Sequence, residues 1–247
     1  MTMLPTTLDQ PHLRVLSAHG TLDGATYLAV RDGILKAAVD QPRAVVIDVT
    51  GLTVNPPSAW AVFTAARWLV SSWPDVPIIL VCEHQSGRDA IARNGITRYV
   101  PVYSHVDEAV EAVARGHPAG RRHARASLQR GDDIRADARR FAADTLASWQ
   151  CRDLVSVAGT VAWVLVDNVL AHTESVPVMT VEELAGNVTI AVADDSSSAP
   201  VRHEHSTGGT DVVSGLSIVS ALTRRWGSLP TGSGKTVWAV IGPENRL

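Results

Sequence analysis

This 247-residue sequence has few cysteines, few aromatic residues and no excess of positive charge. Its two cysteines, Cys82 and Cys151, lie in separate apolar or helical runs, which excludes a disulfide framework and indicates a reducing compartment. A net charge of −3 argues against nucleic acid or an anionic membrane as the main partner. No signal-peptide pattern opens the chain, and no apolar run reaches the roughly 18 residues that cross a bilayer. We therefore expect a cytoplasmic protein.

The sequence does contain enough apolar residues, 45% of the chain, to fill two cores. Over residues 1–115, predicted strands alternate with helices. The runs Ala44–Val49 and Val76–Cys82 are nearly continuously apolar, as expected of strands covered on both faces. Ser58–Ser72 carries apolar residues at helical spacing. This alternation is typical of an α/β domain with a largely parallel sheet.

Residues 116–132 interrupt the pattern. They are rich in Arg, His, Gly and Ala, and Leu128 is their one bulky apolar residue. We interpret the segment as an interdomain linker. Contact of its arginines with nucleic acid or a phosphorylated partner is the alternative.

From residue 133 onwards the order of elements is different. Two predicted helices, Ile134–Trp149 and Leu154–Leu170, are followed by a hairpin, a polar stretch, another helix and a last hairpin. This order predicts an α+β sandwich over residues 133–247.

Four motifs of this second half are Asn168 on an apolar helix, Asp194 at a strand end, Gly215 at a helix start and the run Gly232–Thr236. With the element order they resemble the GHKL (HATPase) superfamily, in particular the anti-sigma-factor serine kinases of actinobacteria. The resemblance implies a Bergerat-type site for ATP or ADP, in which the asparagine holds Mg²⁺ and the aspartate accepts a hydrogen bond from adenine. It also implies glycines that let the backbone approach the phosphates. The predicted nucleotide-binding residues are Asn168, Asp194, Gly215, Gly234 and Thr236, with Thr236 helping to fix the aspartate.

Two positions depart from that pattern. Val164 stands where the superfamily has the glutamate that orients the attacking group, and Val213 replaces the first glycine of the phosphate loop. Asp167 could substitute for the glutamate, but it points about 100° away from Asn168 around the helix. Simpler interpretations stay open, with Asn168 as a helix-surface residue and Asp194 as a turn former.

Two further motifs look like a P-loop and a metal site, but their sequence context argues against both. Thr231–Thr236 spells a P-loop, yet a P-loop precedes a helix, and Val237–Ile241 has the pattern of a strand. His203 and His205 could ligate a metal, but no cysteine or third histidine lies near them in the sequence. We expect them to be solvated residues of a lid.

In the first half, Gly20–Asp23, Asp48–Leu52, Asn94–Ile96 and Ser104–Ala109 follow one another in an order that resembles the STAS family of anti-sigma-factor antagonists. The resemblance implies a serine, phosphorylated by a partner kinase, at the start of the helix that follows the second motif. Pro57 occupies that position and has no hydroxyl group. Ser58 is the substitute phosphoacceptor or, alternatively, the N-cap of the helix.

Together these features predict a regulator of sigma-factor or stress signalling, and so of transcription, that acts by partner switching. It would bind a sigma factor, an anti-sigma factor or a STAS antagonist, could form a homodimer, and would hold ATP or ADP with Mg²⁺ in its second domain. An active serine/threonine kinase that phosphorylates STAS proteins is the alternative. A third hypothesis is a scaffold in which neither domain binds nucleotide.

Overall fold

The computed structural model describes residues 2–6, 13–116, 121–196, 215–231 and 233–246. The chain divides into two compact units, residues 1–118 and 119–247.

The described part of the first unit alternates strands and helices. Its elements are β1 (Thr2–Thr6), β2 (Leu13–Leu22), α1 (Tyr27–Val39), β3 (Ala44–Asp48), β4 (Leu52–Val54), α2 (Ala61–Val70), β5 (Ile78–Val81), α3 (Gln85–Arg93), β6 (Val102–Tyr103) and α4 (Val106–Gly116). Two 3₁₀ turns, Pro57–Trp60 and Ile96–Arg98, precede α2 and follow α3.

The sheet of this unit has the order β1-β2-β3-β5-β6, and β4 pairs with the end of β2. All its pairings are parallel except that between β1 and β2. The helix α4 packs on one face, over a core that includes Val46 and Val81, and α1 packs against α2 and contacts β2 and β3. Helices on both sides explain why β3 is apolar at nearly every position. The predicted α/β architecture is confirmed.

The second unit has an antiparallel sheet with helices. Its elements are β7 (Arg122–Ser127), α5 (Ile134–Ser148), α6 (Val155–His172), β8 (Val178–Leu184), β9 (Asn187–Asp194), α7 (Gly215–Leu222), β10 (Arg225–Pro230) and β11 (Lys235–Ile241). The strand order is β10-β11-β9-β8-β7. The hairpin between β8 and β9 turns on Ala185 and Gly186, which both have positive φ (51° and 80°), as a two-residue type I′ loop requires.

The core of the second unit lies between the helices and one face of this sheet. Leu146 of α5, Leu165 of α6, Met179 of β8 and Ile190 of β9 are among its fully buried members. The α+β arrangement predicted for the second half is therefore present, with helices and an antiparallel sheet around one core.

The segment predicted to be a linker, 116–132, is not wholly a linker, because β7 lies within it and pairs with β8. Ala124 and Ala126 are half-buried, whereas Arg122, His123 and Arg125 between and before them are exposed. An edge strand buries only one face, and charged side chains along it discourage further strand pairing. Alanines on the inner face of β7 are therefore enough to pack this strand against the unit.

The expectation that no apolar run reaches bilayer-spanning length does not hold for the helical stretch Arg152–His172. By length and composition alone these 21 residues could cross a membrane, and 56% of the most apolar window is buried inside the unit. A central core helix passes the same test, because it too is apolar on most sides. The stretch includes α6, which contacts α5, α7, β9 and β11.

Candidate functional site

In the first unit the predicted phosphoacceptor segment lies at the carboxyl end of the parallel strands, where β4 leads into the 3₁₀ turn before α2. The amide of Asn55 donates a 3.0 Å hydrogen bond to the carbonyl oxygen of Leu22, which ties this segment to the end of β2. Pro56, Pro57 and Ser58 are exposed. The segment is therefore both anchored and accessible to a partner.

The interpretation of Ser58 as a helix N-cap is wrong. Pro56 is the N-cap residue of the 3₁₀ turn, no side chain caps it, and Pro57 occupies the first position, where its fixed φ fits a helix start. Ser58 is thus one residue inside the turn. Its exposed hydroxyl group makes no hydrogen bond to another described residue.

Two aspartates of the STAS-like motifs stabilise the turns beside this segment. The Oδ1 atom of Asp23 accepts hydrogen bonds of 3.0 Å from the amides of Ala25 and Thr26 and from the hydroxyl of Thr26. These bonds, with the Thr26 hydroxyl as the largest contribution, lower the pKa of Asp23. Asp48 accepts a 2.9 Å bond from the amide of Thr50 in the same way. Both motif aspartates thus stabilise the backbone turns that follow their strands.

In the second unit, Asp194 closes β9 and forms a buried ion pair. Register places Lys235 of β11 directly opposite it. The Nζ atom of Lys235 lies 3.1 Å from each carboxylate oxygen and donates a hydrogen bond to Oδ1. The exposed fractions of the two side chains are 8% for the lysine and 0% for the aspartate. The amide of Ser196 donates a further 2.7 Å bond to the carboxylate.

The structure does not bring Thr236 to Asp194. Side chains alternate between the two faces of a strand, so Thr236, next to Lys235, points to the other face of the sheet. Its hydroxyl is buried and has no hydrogen-bond partner among the residues that the structure describes. The residue that meets the aspartate is Lys235, for which the sequence carries no signal, because β9 and β11 are separated in the chain by α7 and β10 and their register follows only from the fold.

Gly234 and Gly215 are both glycines for reasons of packing. A Cβ atom on Gly234 would overlap the backbone carbonyl oxygen of Asp194, so only glycine lets the hairpin turn approach the end of β9. A Cβ atom on Gly215 would lie 2.9 Å from Cγ1 of Val164. An apolar side chain thus packs against the glycine that was predicted to face phosphate.

Asn168 lies one helical turn after Val164 on α6 and is half-buried. It makes no hydrogen bond to another described residue, and its neighbour Asp167 is engaged elsewhere. Arg135 of α5 donates a 2.7 Å bond from Nε to Oδ1 of Asp167. The aspartate that could have replaced the missing glutamate therefore forms an interhelical ion pair.

The described residues do not fit a bound adenine nucleotide. The carboxylate expected to accept the adenine amino group already holds a lysine ammonium group, and Thr236 faces away from it. Asn168 remains available for a nucleotide-bound Mg²⁺, yet Val164 fills the neighbouring position. Among the residues that the structure describes, no three His, Cys, Asp or Glu side chains are grouped to hold a metal ion.

Some predicted residues lie outside the described ranges, namely His203, His205, Val213 and Gly232. The rest of the apparent P-loop forms the turn between β10 and β11 and the start of β11. Within that turn, the amide of Thr231 donates a 2.8 Å hydrogen bond to the carbonyl oxygen of Gly234. The strand β11 follows where a P-loop needs a helix. Rejection of the P-loop is borne out.

Residues 5–109 match the family model of the STAS domain. Solved structures similar to this part include an anti-sigma factor antagonist from Mycobacterium paratuberculosis, 24% identical over 46% of this chain and 93% of that one, with a TM-score of 0.40. Another is the anti-sigma factor antagonist SpoIIAA in its unphosphorylated form, 14% identical over 46% and 97% of the two chains, with a TM-score of 0.37. None of the curated proteins matches the chain. The first unit is therefore similar to STAS domains over residues 5–109, and that part of the resemblance is supported.

Proposed function

We propose that this chain is a cytoplasmic regulator of sigma-factor signalling that acts by binding partner proteins through its STAS domain. The observation that carries the proposal is Pro57, at the exposed start of the turn that leads into α2. Proline has no hydroxyl to accept a phosphate. Binding at this segment would then be constant, because the residue at the expected acceptor position cannot be phosphorylated.

The favoured partner is an anti-sigma factor, since antagonists of anti-sigma factors are the proteins that the STAS domain is similar to. A sigma factor or another STAS protein is the alternative partner. The surface offered is formed by Pro56, Pro57 and Ser58, beside the turns that Asp23 and Asp48 stabilise.

The proposal extends to the second unit, which we infer to work without nucleotide. The buried pair of Asp194 with Lys235 supports this inference, as does the contact of Val164 with Gly215. A serine/threonine kinase would need a carboxylate beside Asn168, and Asp167 is paired with Arg135. No contact in the described residues favours the kinase.

Phosphorylation tests the first part. The full chain, its Pro57→Ser variant and its Ser58→Ala variant are incubated with a panel of anti-sigma-factor kinases and labelled Mg-ATP. We expect no label on the wild-type chain or on Ser58→Ala. We expect label on Pro57→Ser, because this variant restores a hydroxyl group at the acceptor position. Label on the wild-type chain that disappears in Ser58→Ala would replace the constant binding module with a phosphorylation switch shifted by one residue.

Calorimetry tests the second part. Titration of the full chain with ATP or ADP and Mg²⁺ should give no saturable heat, because the carboxylate is occupied from within the chain. Saturable binding that is lost in Asp194→Asn and in Asn168→Ala would establish the nucleotide site and restore the kinase as a candidate. The two experiments are independent, so either part can fail alone.

A further inference from the structure

Two exposed aromatic rings meet on the surface of the first unit. Trp68 of α2 is 62% exposed and Tyr99, just after the second 3₁₀ turn, is 51% exposed. Their ring centroids are 5.8 Å apart, with a tilt of 52°. Leu69, beside Trp68 in the helix, is 44% exposed. We call these three residues the aromatic patch.

The fold of the unit does not account for this patch. The helix α2 buries its other side, through Val62, Phe63, Ala66 and Val70. Trp68 and Leu69 lie outside that set and add little to the core. Isolated apolar residues are common on protein surfaces, whereas grouped exposed aromatic residues mark sites of interaction.

Positive charge borders the patch. Arg98 adjoins Tyr99 in the chain, and Arg93 ends α3, which contacts the 3₁₀ turn Ile96–Arg98. Both arginines are exposed, and neither forms an ion pair with another described residue. By contrast, Arg67 on α2 is neutralised by Asp75 at 3.2 Å. Arg98, next to Tyr99, is thus an uncompensated positive charge beside the patch, and Arg93 adds a second one at the neighbouring end of α3.

The patch is separate from the segment around Ser58. About ten residues lie between Ser58 and Trp68, which at the rise of a helix is about 15 Å. A partner bound at the strand ends would therefore leave room for contact at the patch, or for a second protein there.

The chemistry of the patch selects among possible occupants. In a symmetric dimer the same patch would face itself, so Arg93 and Arg98 of two copies would be brought together and would repel. A nucleic acid would need more phosphate contacts than two arginines provide, and the net charge of the chain is −3. A protein segment with apolar side chains flanked by carboxylates suits both the rings and the arginines. Trp, Tyr and Arg are also the residues that dominate protein-binding hot spots.

We propose that the aromatic patch with Arg93 and Arg98 is a second protein-docking surface of the STAS domain, which binds an acidic segment with apolar anchor residues. The proposal goes beyond the regulatory function proposed above and does not depend on Pro57 or Ser58.

A selection experiment tests it with the full chain. A random peptide display library is selected on the wild-type protein after depletion on the Trp68→Ala variant, and the enriched peptides are synthesised and labelled for anisotropy. We expect aromatic or aliphatic residues flanked by Asp and Glu. Binding should weaken at least about tenfold in Trp68→Ala and in Arg98→Glu, the size expected of a hot-spot residue. Trp163→Ala, which removes another exposed tryptophan from α6 of the second unit, is the matched control and should bind normally.

Other outcomes overturn the proposal. These are the absence of enriched peptides, enrichment of basic sequences, or equal binding by Trp68→Ala and Trp163→Ala. Concentration-dependent dimerisation that Trp68→Ala abolishes would assign the patch to a second copy, and binding of oligodeoxythymidine that Arg98→Glu abolishes would assign it to nucleic acid. Failure here leaves the function at Pro57 standing, because the Pro57 and Ser58 variants keep the patch intact.

Discussion

Replacement of Lys235 by methionine tests the buried ion pair of the second unit most directly. Methionine keeps the length and apolar stem of lysine but has no charge. The Lys235→Met variant would leave the carboxylate of Asp194, whose side chain is 0% exposed, without a counter-ion. One hydrogen bond to it, from the amide of Ser196 at 2.7 Å, would remain.

Removal of one partner of a buried ion pair costs about 3–5 kcal/mol, because the remaining charge is left without compensation in a poorly solvated site. The retained hydrogen bond favours the lower end, so we expect Lys235→Met to lower the free energy of unfolding of the second unit by about 3 kcal/mol. At about 1.4 kcal/mol for each factor of ten, that is roughly a hundredfold change in the unfolding equilibrium. The double variant Lys235→Met with Asp194→Asn removes both charges and should cost about 2 kcal/mol less than the sum of the single variants.

Hydrogen exchange resolved by mass spectrometry is the suitable assay, since a chain with two units need not unfold in one step. Protection is compared for peptides from β9 and β11. The matched control is Arg14→Met, read from peptides of β2 and β3, which removes an exposed ion pair of the first unit with Asp40, where the two side chains are 45% and 55% exposed. It should cost less than about 1 kcal/mol. A cost below about 1 kcal/mol for Lys235→Met, together with additive single and double variants, would refute the reasoning.

Three further predictions concern packing and pH. Gly234→Ala should destabilise the second unit by about 2 kcal/mol in urea unfolding, because its Cβ would overlap the backbone at the end of β9, whereas Gly131→Ala, with open space around it, should change stability by less than about 0.5 kcal/mol. Phe63→Ala should cost the first unit about 3–5 kcal/mol in the same assay, since the ring is 0% exposed, and a cost below about 1 kcal/mol would contradict its place in the core. Hydrogen bonds from Arg224 lower the pKa of Glu244 from 4.5 to about 2, so its stabilising effect exists above pH 4.5 and is lost as the pH falls towards 2. Unfolding measured across that range should therefore show a steeper loss for the wild-type chain than for Glu244→Gln, and equal slopes would contradict the contribution.

Most of the element order could be predicted because buried strands and helices have distinct apolar patterns. The strand β3 is apolar at four of its five positions, and α6 is apolar around most of its circumference. The strands that escaped prediction lie at sheet edges. In β7 only alanines face inwards, and β1 contains Pro5, which is tolerated mainly at an edge. Edge strands bury little, so their hydrophobic signal is weak.

The candidate site was less predictable than the fold because it depends on strand register. The sequence predicts a last strand that includes Val237–Ile241, but it does not predict which residue of that strand pairs with Asp194, and in the structure this residue is Lys235. Since side chains alternate along a strand, a shift of one residue exchanges the residue that faces Asp194. A motif names residue types, but the parity of the strand decides which of two neighbours reaches the site.

The two units share one physical property at the positions where their resemblances implied reversible chemistry. In the first unit Pro57 replaces a hydroxyl that would be phosphorylated, and in the second the ammonium group of Lys235 occupies the carboxylate that would meet adenine. A ligand shifts an equilibrium only if it binds two states with different affinity. On the function proposed above, a phosphate has no acceptor at position 57 and a nucleotide meets a carboxylate that is already paired with a lysine, so neither has such a difference to act on. Control by mass action, through the concentration of the chain and of its protein partners, then remains as the means of regulation that this arrangement supports.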